Sequence, residues 1–186
     1  MSITVTPCPI NGLYIIAPEI HRDGRGFFAE TYNRRDFHNA RLSMEFVQDN
    51  LSRSAGNVLR GLHYQKTHPQ GKLVRVSMGT VFDVAVDLRP ESHSFGQWFG
   101  VELSAENARQ FYIPAGFAHG FYVLSDGAEF CYKTTDYYRP GDEGGILWND
   151  GAIGIEWPIP AGATPLLSPR DAAWPALSEE WRQRHE

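Results

Sequence analysis

Cysteine is nearly absent from this chain. Cys8 and Cys131 are the only two among 186 residues. They are too few for a disulfide scaffold and lack the paired spacing of a thiolate metal site, so each reads as a small buried hydrophobe. An excess of positive charge is missing too. Seventeen Lys and Arg stand against 22 Asp and Glu, a net charge of −5 with the signs interspersed. That balance speaks against binding to nucleic-acid polymers, which calls for a basic patch or tract. It leaves room for a ligand with two phosphates, which a few well-placed cations hold. No stretch approaches the roughly 18 apolar residues of a membrane helix. The opening residues, MSITVTPCPINGLYIIAPE, lack the basic segment and apolar run of a secretory leader. Repeats, low-complexity tracts and linkers are also missing. These absences lead to the expectation of one cytoplasmic domain spanning residues 1–186, with no membrane contact.

What the chain has in abundance is short β-rich runs. Its 18 glycines and 12 prolines punctuate segments such as Leu13–Ala17, Phe27–Tyr32, Phe46–Leu51, Val58–Tyr64, Lys72–Met78, Val81–Leu88, Gln97–Leu103, Gln110–Ile113, His119–Ser125 and Glu129–Asp136. Many short strands at regular spacing predict a sandwich or barrel. In Val81–Leu88 the two-residue period puts Phe82, Val84, Val86 and Leu88 on one face and Asp83, Ala85 and Asp87 on the other. Two small helices are expected, Arg34–Leu42 capped by Asn33 and Glu179–Arg184 capped by Ser178. The fold class is therefore all-β, an antiparallel β-barrel or jelly roll with a few short peripheral helices.

Of seven histidines, His21, His38, His68, His93 and His185 lie in polar or punctuated contexts and read as surface residues. His63 and His119 are different, because each sits in an apolar strand. Histidines so placed are more often satisfied core residues than catalysts, but their neighbours matter. Pro114-Ala115-Gly116-Phe117-Ala118-His119 resembles the second signature of the cupin superfamily, whose histidine points into the barrel. The first signature of metal-binding cupins has two histidines one residue apart, plus a glutamate. Here the matching stretch is His63-Tyr64-Gln65, and the second histidine is missing. Two histidines make a poor site for an ion that takes three or four ligands, so no metal and no cofactor are expected.

The remaining polar residues suit proton transfer. His63 can accept a proton near neutral pH, and Tyr132, on the opposite strand face from Cys131 and Lys133, can return one. Lys72 can hold a developing oxyanion. Asp83 and Asp171 are candidates to fix a histidine tautomer or the lysine. Tyr137-Tyr138 offers a ring for a base, and Arg25 and Arg60 offer guanidinium groups for phosphate.

Several blocks then fall in order along the chain: Arg25–Glu30, Phe46–Asn50, Val58–Gln65, Gln70–Arg75, Val81–Arg89, Ile113–Phe121 and Tyr132–Tyr138. Together they resemble the dTDP-4-dehydrorhamnose 3,5-epimerase family across nearly the whole chain. The resemblance implies a cupin-type jelly roll, with a core barrel over about 44–150 and a C-terminal extension carrying Asp171. It further implies a homodimer acting on a dTDP-linked 4-keto-6-deoxysugar. It gives His63 as base paired with Asp171, Tyr132 as acid and Lys72 as the enolate's cation. Arg25, Phe28, Glu30, Gln48, Asn50, Arg60, His119, Tyr138 and Glu143 become substrate contacts, with Tyr138 on the thymine. Arg170 stands where the family usually has lysine, and either cation meets a phosphate. A single-centre epimerase, a 3,4-ketoisomerase and a non-catalytic cupin module are the rival functions. One geometric difficulty is visible in advance. Arg60 and His63 have opposite strand parity yet both should face the pocket, which requires a bulge at Gly61.

Overall fold

The computed structural model describes residues 3–177, and its strands follow the alternation of the sequence. In chain order they are β1 (Ile3–Pro7), β2 (Tyr14–Pro18), β3 (Ile20–Asp23), β4 (Gly26–Ala29), β5 (Gln48–Ala55), β6 (Leu59–Gln65) and β7 (Lys72–Met78), followed by β8 (Thr80–Asp87), β9 (Trp98–Ser104), β10 (Gln110–Ile113), β11 (Phe117–Val123), β12 (Gly127–Thr134) and β13 (Glu143–Gly145). Six of them form one sheet in the order β1-β2-β10-β7-β12-β5, five form a second in the order β13-β6-β11-β8-β9, and β3 and β4 make a separate hairpin. Neighbouring strands run antiparallel throughout. Two facing antiparallel sheets of this kind are the expected cupin-type jelly roll.

Pleating decides what each sheet contributes to the interior. On β7, Val74 and Val76 enter the inter-sheet core with Val81 and Ala85 of β8, Phe121 of β11 and Phe130 of β12. Lys72 has the same parity as Val74 and Val76 but opens its strand, so it reaches the interior at the end of the sandwich. The outward row of the second sheet is apolar as well. Val84, Val86, Leu62 and Ala118 pack under Ile146, Ile153 and Leu177 of the segment that follows β13. Both faces of β11 are thereby covered, and every one of its residues is buried.

The chain after β13 crosses this outer face and returns to the barrel. Leu59 N–H donates to the Leu166 carbonyl and Leu166 N–H to that of Asn57. The Asn57 side chain donates to the Thr164 carbonyl at 2.8 Å. Beyond these ties, a single 3-10 turn at Asp171–Ala173 brings the C-terminal segment beside β6.

The expectations differ from the structure in two places. The first helix, α1, covers Arg34–Asn39 only. Asn33 caps it as expected, its side chain accepting from Arg35 N–H at 3.0 Å, but Arg41 takes a positive φ of 62° and ends it early. Strands β1, β3 and β13 were not anticipated; β13, only three residues long with two glycines, is too short to show a period. The second helix expected at Glu179–Arg184, with its cap Ser178, lies outside the described residues.

The bulge is present. Along β6 and β11, His63 pairs with His119 and Arg60 with Phe121, so Gly61 and Leu62 together oppose Gly120. The extra residue re-aims the chain, and Arg60 and His63 both face the same cavity. Gly61 has φ +133°, and a Cβ there would lie 2.5 Å from the Gly120 Cα. Gly61→Ala is therefore expected to destabilise the fold by at least the ~1–3 kcal/mol of a strained backbone position. Urea unfolding measures this, and an unchanged midpoint would show that the bulge accepts a side chain.

Candidate active site

One end of the sandwich opens into a cavity of about 240 Å³. The five-stranded sheet lines it with Arg60, His63 and Gln65 of β6, His119 and Phe121 of β11 and Glu143 of β13. The six-stranded sheet supplies Ser52 of β5, Lys72 of β7 and Phe130 and Tyr132 of β12, and Gln70, Tyr138 and Arg170 close the mouth. Its apolar side is built from stacked rings. Phe121 lies over Phe130 at 4.2 Å between centroids, and His119 stacks on Phe130 at 5.8 Å.

Each interior histidine is held by a buried carboxylate. His63 Nε2 lies 2.6 Å from Asp171 Oδ1, the histidine side chain 30% exposed and the aspartate 4%. With Nε2 engaged, Nδ1 is the ring nitrogen left for chemistry. Burial pushes the Asp171 carboxyl up. Hydrogen bonds and charge from His63, the Gly61 backbone and Ser168 outweigh it, so the group sits below its ordinary value and stays ionised. His119 Nε2 meets both Asp83 oxygens, at 3.1 and 2.9 Å. Burial raises the Asp83 carboxyl despite the opposing pull of His119 and Lys72, and it lowers His119 against the pull of Asp83. Asp83 is thus a buried acceptor beneath the cavity rather than a lining residue.

Lys72 and Tyr132 complete the wall opposite His63. Burial lowers the Lys72 ammonium from 10.5 to about 8, against the pull of Asp83. It raises the Tyr132 phenol above 10, with Arg60 opposing and Tyr138 assisting, so the phenol keeps its proton at neutral pH. The arrangement sets a carboxylate-backed imidazole on one sheet and a protonated phenol beside the Lys72 ammonium on the other, all lining one cavity. Among the described residues no three His, Cys, Asp or Glu side chains converge as a metal ion would need.

Comparison with known proteins gives the family. Residues 7–179 match the family model described as dTDP-4-dehydrorhamnose 3,5-epimerase. The enzyme of that name from Salmonella typhimurium is 57% identical over 172 residues, 91% of this chain and 93% of its own. The chain belongs to the dTDP-4-dehydrorhamnose 3,5-epimerase family. A solved family structure from Legionella pneumophila, in complex with dTDP-4-keto-L-rhamnose, superposes with a TM-score of 0.91 at 52% identity, covering 95% of this chain and 93% of its own. A 3'-monoepimerase from Streptomyces bikiniensis, bound to dTDP-quinovose, has a TM-score of 0.88 at 34% identity and covers 96% of this chain and 90% of its own.

Most residues singled out in the sequence converge here. Arg60, His63, Lys72, His119, Tyr132, Tyr138, Glu143 and Arg170 line the cavity, and Asp83 and Asp171 support its histidines. Gln48 and Asn50 stand at one remove. Gln48 accepts from Tyr138 N–H at 2.9 Å and donates to Asn50 at 2.8 Å, and Asn50 donates to the Tyr132 carbonyl at 3.4 Å. Arg25, Phe28 and Glu30 are not brought into the cavity of their own chain. Arg25 pairs with Asp23 at 2.6 Å, Phe28 is 58% exposed, and Glu30 accepts from Asn33. Ser52, Gln65, Gln70, Phe121 and Phe130 are lining residues not anticipated. Parity with Gln48 and Asn50 would have found Ser52, and parity with Tyr132 would have found Phe130.

The lowered ammonium gives a direct test. Lys72 is expected to titrate near 8, read from the side-chain shifts of labelled lysine. Asp83→Asn removes the carboxylate that raises Lys72, so its midpoint should drop further. A midpoint near 10.5 would show that water, not protein, surrounds the ammonium.

Proposed function

We propose that this chain inverts C3 and C5 of dTDP-4-keto-6-deoxy-D-glucose, without a cofactor, to give dTDP-4-keto-L-rhamnose. The observation that carries the reading is the placement of His63, backed by Asp171, and Tyr132 on opposite walls of one cavity. Both C3 and C5 lie next to the C4 carbonyl, so their protons are acidic. His63 removes one of them and the C–H electron pair moves into the carbonyl, leaving an enolate with its charge on the C4 oxygen. Asp171 stabilises the imidazolium that forms and holds the ring in place. Lys72 supports the enolate oxygen; its charge is available at neutral pH and fades above about 8. Tyr132 delivers a proton to the other face, which inverts the centre, and the proton on His63 passes to solvent as Tyr132 is recharged.

Recognition follows from the same wall assignments. Arg60 and Arg170 are the donors for the diphosphate and sugar, with Glu143 beside Arg170 and His119 as a further contact of the sugar. Tyr138, 47% exposed at the mouth, is the ring for the thymine, its backbone N–H held by Gln48, which Asn50 supports in turn. Both cysteines are free, as suits a reducing cytoplasm.

The test is incubation with dTDP-4-keto-6-deoxy-D-glucose in deuterated water. Wild type is expected to place deuterium at C3 and C5 with inversion, and label at one centre alone would mean a single-centre epimerase. Tyr132→Phe is expected to slow epimerisation by ~10²–10⁴-fold, the effect of one general acid, while His63 still exchanges protons with retention. Normal inversion by Tyr132→Phe would remove the phenol from the mechanism.

The homodimer belongs to this proposal as well. The β3–β4 hairpin exposes Phe27 (60%) and Phe28 (58%) together with Arg25, all outside their own cavity. Adjacent exposed aromatics of this kind mark an interaction surface. Placed against a second copy, the hairpin would add Arg25, Phe28 and Glu30 to the partner's site. Sedimentation at micromolar concentration is expected to give a dimer, and a fully active monomer would count against it.

A further inference from the structure

The short edge strand β13 carries an arrangement that goes beyond the ligand contacts assigned to Glu143 and Arg170. Glu143 and Gly145 have the same parity on this strand, and Gly145 stands directly across from His63 in the β13–β6 register. Each is matched to a residue of the turn that carries Asp171. Glu143 holds Arg170 through both carboxylate oxygens at 2.8 Å. Gly145 seats Trp174, whose indole lies so close that a Cβ on the glycine would fall 2.2 Å from two ring carbons. Gly145 has no positive φ, so it is the space over its Cα, not its backbone angle, that calls for glycine.

The two anchored residues flank Asp171 in the sequence and touch each other around it. The Arg170 guanidinium lies 6.0 Å from the Trp174 ring centroid. Trp174 also meets the His63 ring edge-on, at 6.3 Å and 68°. Its indole N–H is buried without a hydrogen-bond partner, so shape and ring contacts hold the side chain there. Asp171 makes its bond to His63 between these two anchors.

We propose that Trp174, seated on Gly145, is a positioning residue that aims the Asp171 carboxylate and the His63 ring at one another, with Glu143 and Arg170 fixing the other side of the turn. It touches no substrate and acts through the dyad, so its effect appears in turnover rather than in binding. The proposal rests on the His63–Asp171 role given above.

The experiment combines kinetics with a proton NMR readout of the dyad. The proton shared across the 2.6 Å His63–Asp171 contact should give a low-field resonance in the ligand-free protein. Trp174→Ala is expected to lose or shift that resonance and to lower kcat on the order of 10²-fold, the penalty for slight misplacement of a catalytic group. KM and affinity for dTDP should stay unchanged. Trp174→Phe keeps a flat ring and discards only the unpartnered N–H, so it should recover the resonance and most of the turnover. Gly145→Ala puts a methyl group where the indole lies and should reproduce the alanine variant, which keeps the test open if Trp174→Ala fails to fold. Wild-type kcat and an unmoved resonance in Trp174→Ala, or dTDP binding lost together with turnover, would overturn the proposal. The resonance reports dyad geometry whether or not the wild type turns over this sugar, so failure of the positioning role is distinguishable from failure of the assigned reaction.

Discussion

A carboxylate that is ionised and almost wholly out of water must be paired, because an uncompensated buried charge is far less stable than a hydrogen-bonded one. Asp171 is such a group, and its partner is His63, 108 positions away along the chain. The pairing ties the C-terminal segment to the barrel wall at the point where the imidazole enters the cavity. The hydrogen bonds at Asn57 and Leu166, the seat on Gly145 and the grip of Glu143 on Arg170 all restrict the same short stretch of chain. Without that segment His63 would remain in the cavity, but it would lack the acceptor that orients its ring.

The rest of the cavity follows from how two pleated sheets meet. A sandwich buries alternate residues of each strand, and these are apolar where the sheets are in full contact. The inward rows also carry polar groups: Lys72 continues the row of Val74 and Val76, Tyr132 that of Phe130, and Asp83 interrupts the row between Val81 and Ala85. The barrel therefore brings groups from both sheets together at one end without a dedicated loop. Buried Asp83 and His119 and half-buried Lys72 form one set in which each charge moderates the others. Burial brings the lysine close to its titration near neutral pH, and it holds the Tyr132 phenol above its ordinary value so that the proton stays on.

Much of this was legible in the sequence because it is local. Period-two alternation located ten strand segments and gave the faces of β8. The conflict between Arg60 and His63 was itself a signal, since two pocket residues of opposite parity on one strand call for an extra residue between them, and Gly61 allows it. Other elements carried too little pattern. Three residues with two glycines give no period, so β13 was not visible, and with it went the seat of Trp174 and the hold on Arg170. Helix α1 was drawn too long because side-chain pattern does not reveal that Arg41 adopts a positive φ.

By itself the sequence determined which residue types share a strand face, where the chain turns, and which blocks carry the family resemblance. Those properties depend on neighbours one to four positions apart, and chain geometry alone relates them. Only the tertiary structure decided who meets whom: Asp83 with His119, Glu143 with Arg170, Gly145 with Trp174, and His63 opposite Tyr132 on the facing sheet. It also left Arg25, Phe28 and Glu30 outside the cavity of their own chain. Such pairings depend on strand order, on the bulge in β6 and on the return path of a segment more than a hundred residues downstream. Each is set by packing the whole chain at once, and no local spacing encodes it.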